Sequence, residues 1–287
     1  MPSAETALPN SELTAHDLAR ERSQIDLPLP LAPWVRPLTE AEGLTLVDLQ
    51  ATNLLEEAWQ ARAEELLKAA DASQRQFVIR SVSRTFLWFE RGILQETPLL
   101  ALMRGGHDKL RRDLFHANHA LANLWPLLAC RQVVVPQLER HGEGVLVAPE
   151  HWDAFVERFI APDTTDANKK KTKASVIASL QSLGVLAKEG NAAAPTRLRH
   201  GKPHVLAIAW LIGEQLALEL RSVADLQWCL RLSEAATLFA LRPEQVKEGI
   251  DIGLAVGMLH QVELPGGRVG IACGPTFGLR PFTPASD

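Results

Sequence analysis

Apolar positions recur at helical spacing along most of the chain and give way to short β-like runs near two places. From residue 44 to about 70, "LTLVDLQATNLLEEAWQARAEELLKAAD" sets Leu54, Leu55, Ala58, Trp59, Ala61 and Leu66 near the helical period, and residues 74–91 continue in the same style. "TPLLALMRGGHDKLRRDLFHANHALANLWPLLACRQVVVPQLER" reads as further helices, broken at Gly105–Gly106 and strained at Pro126 and Pro136, since proline has no amide N–H to donate. Pro149 and Glu150 open a short amphipathic helix. Val176, Ile177, Leu180, Leu183 and Leu186 keep the helical period, which predicts a helix over about 170–184 with Gly184 placed to end it. "GVLAKEGNAAAPTRLRHGKPH" then reads as two short β segments joined by a small-residue loop.

The same order returns further on. "SVADLQWCLRLSEAATLFALRPEQVKEGIDIGLAVGMLHQVELPGGRVGIAC" offers a helix, the short helix "SEAATLFAL", a turn at Arg242–Pro243, a helix over about 243–256, and a hairpin about Pro265-Gly266-Gly267. A helix followed by a hairpin is the back half of a winged helix-turn-helix. The expected fold class is therefore mainly α: a helical N-terminal domain followed by two winged helix-turn-helix-like modules with small β-hairpins. The expected boundaries are an extended or disordered arm at 1–43, rich in proline and tethered by Trp34; a helical domain at 44–144; a first winged module with a connecting helix at 145–219; a second at 220–276; and a tail at 277–287.

Composition narrows the function classes. The 46% hydrophobic and 22% charged content of the 287 residues is that of an ordinary soluble globular protein. A formal net charge of -4 gives no bulk attraction to nucleic acid or acidic lipid, so any such attraction has to be local. Cys130, Cys229 and Cys273 have no close Cys or His partner at zinc spacing and make no disulfide framework, which points to a reducing cytoplasm and to no metal or cofactor. "HVLAIAWLIGEQLALEL" is interrupted by Glu214 and Gln215 and is too short to span a bilayer, so no membrane is expected.

One local charge excess stands out. Between residues 163 and 202, eight Lys or Arg oppose three Asp or Glu. Lys169, Lys170, Lys171 and Lys173 lie at the start of the helix, where the peptide dipoles favour anions over cations. Either Asp163 and Asp166 compensate them, or an external anion sits there. On a helical wheel Lys171, Ser175, Ala178 and Ser182 face outward with Ser179 at the edge, a small polar face that suits a major groove. The expected wing adds Arg197, Arg199, His200 and Lys202. These eleven Lys, Ser, Arg and His residues are the candidate contacts to duplex DNA; a solvated lysine run is the alternative. Arg80, Arg84, Lys109, Arg111 and Arg112 are additional candidates, with surface ion pairing the competing reading.

The second module is less suited to DNA, because Glu244, Glu248 and Asp251 oppose only Lys247 on its helix; protein contact is expected there. His116 and His119 are three apart on a helix, but "HANH" lacks a carboxylate at metal-ligand spacing, so a packing role is expected over a His-based metal enzyme. No catalytic residue is assigned.

Three stretches carry a family resemblance: "RRDLFHANHALANLWPLLACRQVVVPQLERHGEGVLVAPEHWDAFVERF", "TKASVIASLQSLGVL" and "LFALRPEQVKEGIDIGLAVGMLHQVEL". Their order over about residues 45–275 resembles the BrxA-type small DNA-binding proteins of BREX phage-defence systems. The resemblance implies a non-enzymatic, cytoplasmic bacterial protein that binds double-stranded DNA and works beside other phage-defence proteins. The alternative is an assembly subunit whose winged helices contact proteins.

Overall fold

The computed structural model describes residues 40–49, 54–68, 70–87, 89–187, 195–218 and 223–274. The expected arm up to residue 39, Trp34 within it, and the tail from residue 275 lie outside the described residues; residues 40–43 belong to a helix rather than to the arm.

The N-terminal domain is built from α1 (Glu40–Asp48), α2 (Glu56–Leu66), α3 (Ala72–Phe86), a two-stranded hairpin β1 (Phe89–Glu90) and β2 (Ile93–Leu94), α4 (Pro98–Gly105) and α5 (Asp108–Ala122). Its core holds Trp59, Leu99 and Met103 and the stacked rings of Phe86 and Phe115, whose centroids lie 4.9 Å apart. The helix expected through residues 54–66 starts only at Glu56: Leu55 is extended and bridges Ile93, so the buried positions are Trp59 and Ala63, while Leu55 and Leu66 are exposed.

Of the two prolines expected to strain helices, Pro126 instead sits where a helix starts, and Pro136 perturbs the helix it lies in. Pro126 is in the first turn of α6 (Leu124–Ala129), where its missing donor would be unpaired in any case, and Asn123 caps that turn by accepting from the Trp125 N–H. Pro136 is at the second position of α7 (Val135–His141), and the chain approaches it through one π-helical turn, Cys130–Val134. The wider turn accommodates a residue that cannot donate back into the helix.

From here two modules repeat one topology. In the first, β3 (Leu146–Val147) leads to α8 (Pro149–Phe159) and α9 (Asp166–Ser182), and the chain returns through Val185–Ala187 and β4 (Thr196–Arg197). β4 pairs with β3 on one side and, through the Leu186–Leu198 bridge, with the strand that follows α9 on the other. The expected small-residue loop between these strands, 188–194, lies outside the described residues. In the second, α10 (Val205–Leu218), β5 (Val223–Asp225), α11 (Leu226–Leu232), α12 (Glu234–Leu238) and α13 (Pro243–Ala255) precede the hairpin β6 (Leu259–Leu264) and β7 (Arg268–Cys273), with sheet order β5-β7-β6. Both sheets thus place the last strand in the middle, the arrangement of a winged helix.

The helix expected to connect the modules packs as the first helix of the second one. α10 is buried on nearly every side, with Ala207, Ile208, Ala209, Trp210, Leu211 and Ile212 all in the core. Glycines on α13 allow its close approach: a Cβ on Gly249 would lie 2.5 Å from Ile208 Cγ2, and one on Gly253 would lie 3.0 Å from Ala209 Cβ. Among the described residues no helix is long and apolar enough to cross a membrane.

Candidate nucleic-acid interface

α9 is the helix a winged module presents to a ligand, and local chemistry fixes both its ends. Thr165 Oγ1 accepts from the Asn168 N–H at the start, where Asp166 complements the dipole. At the end, Gly184 takes φ +77°, the Val185 N–H bonds to Leu180 O (3.1 Å), and the Gly184 N–H bonds to Gln181 O (3.0 Å). That pair of bonds is a Schellman cap, and it needs the left-handed conformation glycine provides. Thr172, Val176, Leu180 and Leu183 are buried, while Lys170, Lys171, Ala174 and Ser182 are exposed and Ser175 and Ala178 are half-buried.

The four lysines divide into two pairs. Lys169 and Lys173 lie on the side that faces α8: Lys169 Nζ donates to both carboxylate oxygens of Glu157 (2.8 and 3.0 Å), and Lys173 Nζ lies 2.5 Å from Asp153 Oδ1. Donation to Glu157 raises the Lys169 pKa, desolvation opposes the rise, and the charges of Glu157 and then Asp166 add to it. These two lysines are compensated within the fold by acids on α8, with Asp166 of the lead-in adding to the field at Lys169. Lys170 and Lys171 are the two exposed lysines at the helix tip. Ser179 bends back to bond Ser175 O (3.0 Å), which leaves the outward face small and smooth.

The expected wing residues are also separated. Arg197 is on β4, exposed, with Nη1 donating to Gly144 O (3.2 Å). Ladder pairing ends at Arg199, whose N–H bonds Val185 O (3.0 Å), and the Gly201 N–H then bonds Phe239 O (2.8 Å), turning the chain toward the second module. Arg199, His200 and Lys202 therefore belong to a linker rather than to a wing. Arg199 Nε caps the end of α9 at Gly184 O (2.7 Å), and His200 donates from Nδ1 to Ala240 O (2.5 Å).

That linker folds against α5 and closes a cleft of about 540 Å³. Lys109, Arg112, Asp113 and His116, which share one face of α5, line one wall; Arg199, His200 and Lys202 line the other. Ser182, Leu183, Pro203 and Glu143 add to the lining. The walls are pinned together: Lys109 Nζ donates to Lys202 O (2.6 Å) and Asp113 Oδ2 accepts from the His204 N–H (2.6 Å). The additional basic candidates fall apart in the same way. Arg111 pairs with Asp48 on α1 and is not part of the cleft, Arg80 is exposed on α3, and the side chain of Arg84 lies outside the described residues.

The two histidines diverge. His116 lines the cleft, whereas His119 stacks on Phe115 with centroids 6.4 Å apart. Burial, with His116 nearby, lowers the His119 pKa to about 4, so its ring is neutral at ordinary pH. Among the described residues no three His, Cys, Asp or Glu groups are placed to hold a metal ion together.

The exposed side of α13 carries Glu244, Lys247, Glu248 and Asp251, and Lys247 Nζ is held by Asp251 (2.6 Å). On the adjacent hairpin Arg268 is engaged by Asp225 (3.6 Å).

No protein-family model matches the chain, nor does any curated protein. Among solved structures the chain resembles SspB. The crystal structure of SspB aligns over 83% of this chain and 82% of that chain, with a TM-score of 0.52 at 13% identity. A magnesium-ion-bound SspB structure aligns over 83% and 81%, with a TM-score of 0.48 at 14% identity. The likeness is one of fold.

Proposed function

We propose that this protein is a non-enzymatic DNA-binding accessory protein that engages duplex DNA through α9. The observation that carries the reading is the small-residue outward face of that helix: exposed Ala174 with half-buried Ser175 and Ala178, between a tip bearing Lys170 and Lys171 and an end bearing Ser182, mounted in a winged arrangement. Short side chains let the helix lie deep in a major groove, and the tip lysines meet phosphates at its rim. In keeping with its BrxA-like sequence layout, we place it among bacterial phage-defence proteins in the cytoplasm. The acidic face of α13 favours a protein partner over a second duplex, because Lys247 is already bound by Asp251 while Glu244 and Glu248 project outward.

Fluorescence anisotropy with a labelled duplex tests both assignments together. Ala174→Glu places a carboxylate on the exposed face of α9 without a helix-propensity penalty of more than a few tenths of a kcal/mol, and duplex affinity should fall at least about tenfold. Glu248→Lys should leave it nearly unchanged. Undiminished binding by folded A174E would remove α9 from the interface.

A further inference from the structure

The cleft between α5 and the linker has a shape and a charge that a duplex-binding face does not need. It is concave, about 540 Å³ in volume, and it lies at the end of α9 remote from the exposed lysines. From Lys171 to Ser182 the helix axis advances roughly 17 Å at about 1.5 Å per residue, so the two basic regions are separate. A duplex is too wide to enter such a cleft, whereas pockets of about 300–1,000 Å³ suit small organic ligands.

Charge selects the class of ligand. Lys109, Arg112, Arg199 and Lys202 line the cleft against two carboxylates, Asp113 and Glu143. Both carboxylates already have cationic partners: Asp113 holds Lys109 (2.7 Å), and Glu143 holds Arg242 from outside the cleft (3.3 Å). The cleft therefore carries an excess of positive charge, with imidazoles of His116 and His200 and the hydroxyl of Ser182 as further hydrogen-bonding groups. Guanidinium groups match phosphate oxygens in a two-pronged geometry, and lysine adds a point charge. The lining is not wholly polar, since half-buried Pro203 adds an apolar contact for a sugar or base. A cationic lining beside it fits a ligand with a phosphate at one end and a less polar body at the other.

From this geometry we infer that the cleft is a nucleotide-phosphate site, taking either a free nucleotide or one nucleotide unit of a single strand. The site is largely preformed, because the Lys109–Lys202 and Asp113–His204 bonds hold the walls in place without a ligand. It joins α5 of the helical domain to the linker between the winged modules, and it meets the proposed duplex-binding face of α9 only at Ser182.

Isothermal titration calorimetry on the full chain tests it, with adenosine monophosphate, inorganic phosphate, adenosine and a short single-stranded oligodeoxynucleotide as probes. Adenosine monophosphate should bind saturably at one site and adenosine should not. Lys202→Ala and Arg112→Ala should each weaken that binding about tenfold, the loss expected for one charge-assisted hydrogen bond. The Lys202 substitution retains the backbone carbonyl that Lys109 uses, so the cleft wall stays pinned. Competition by the oligonucleotide assigns the ligand to a strand, and its failure assigns it to the free nucleotide. Absence of saturable binding by every phosphate-bearing probe, or unchanged affinity in both folded variants, overturns the site. A174E separates the two functions, since it should lose the duplex and keep the nucleotide.

Discussion

The division of the lysines on α9 predicts unequal effects from two otherwise similar double substitutions. Lys170 and Lys171 are exposed at the tip, and Lys169 and Lys173 are held by Glu157 and Asp153 on α8. Each phosphate neutralised on B-form DNA contributes about 0.9 to the slope of log affinity against log salt. Replacing Lys170 and Lys171 by Ala should therefore reduce the magnitude of that slope by about 1.8. Over a fourfold rise in salt this makes the wild type lose about 12-fold more affinity than the variant does. Replacing Lys169 and Lys173 by Ala should leave the slope nearly unchanged, while uncovering the two carboxylates of α8 and lowering stability. The assay is fluorescence anisotropy with one duplex across a salt series, with circular dichroism to confirm folding. An unchanged slope in K170A/K171A, or an equal change in K169A/K173A, would refute the assignment of phosphate contact to the tip.

Two further consequences concern stability. His119, with a pKa of about 4 in the fold against about 6.5 unfolded, is protonated first in the unfolded chain, so stability should fall by up to about 3 kcal/mol as pH drops from about 6.5 to 4. An NMR titration in which the His119 ring protonates near pH 6.5 in the native protein would contradict this. Gly249→Ala brings a Cβ to 2.5 Å from Ile208 Cγ2, so the overpacking cost of about 1–3 kcal/mol should exceed the roughly 1 kcal/mol gained in helix propensity. A lower urea midpoint is expected, and an unchanged or higher one would show that α10 and α13 can move apart.

Elements whose signal is local were legible in the sequence. The helix at Asp166–Ser182 announces itself by the period of Val176, Leu180 and Leu183 and by Gly184, and the last hairpin by Pro265-Gly266-Gly267. Of the short β elements, the pair after α9 was legible, whereas β1, β2, β3 and β5 were not. β1 and β2 pair only four residues about Arg91 and Gly92, both at positive φ, and β5 has only three residues fixed by pairing with β7. Such strands have too few positions to show alternation. The lysines were legible as a cluster but not as two pairs, because their sorting depends on Asp153 and Glu157 across a helix contact. The cleft was least legible of all. Lys109 meets the carbonyl of Lys202, a residue more than ninety positions away, and no run of residues encodes that meeting. The spacing of Lys109, Arg112 and His116 on one helical face was the only trace of it.

The linker that passes from the first module to the second is clasped along its length. Gly201 donates to Phe239 O and accepts from Gln245 Nε2 (3.1 Å), His200 is bound to Ala240 O, and His204 is bound to Asp113. A flexible tether holds two modules near each other with an effective concentration set by chain statistics. A clasped one acts as a bracket. If α9 lies in a groove as proposed, the acidic helix would be presented at one height and one angle to the duplex axis, so a protein it received would be positioned on the DNA rather than merely kept close to it.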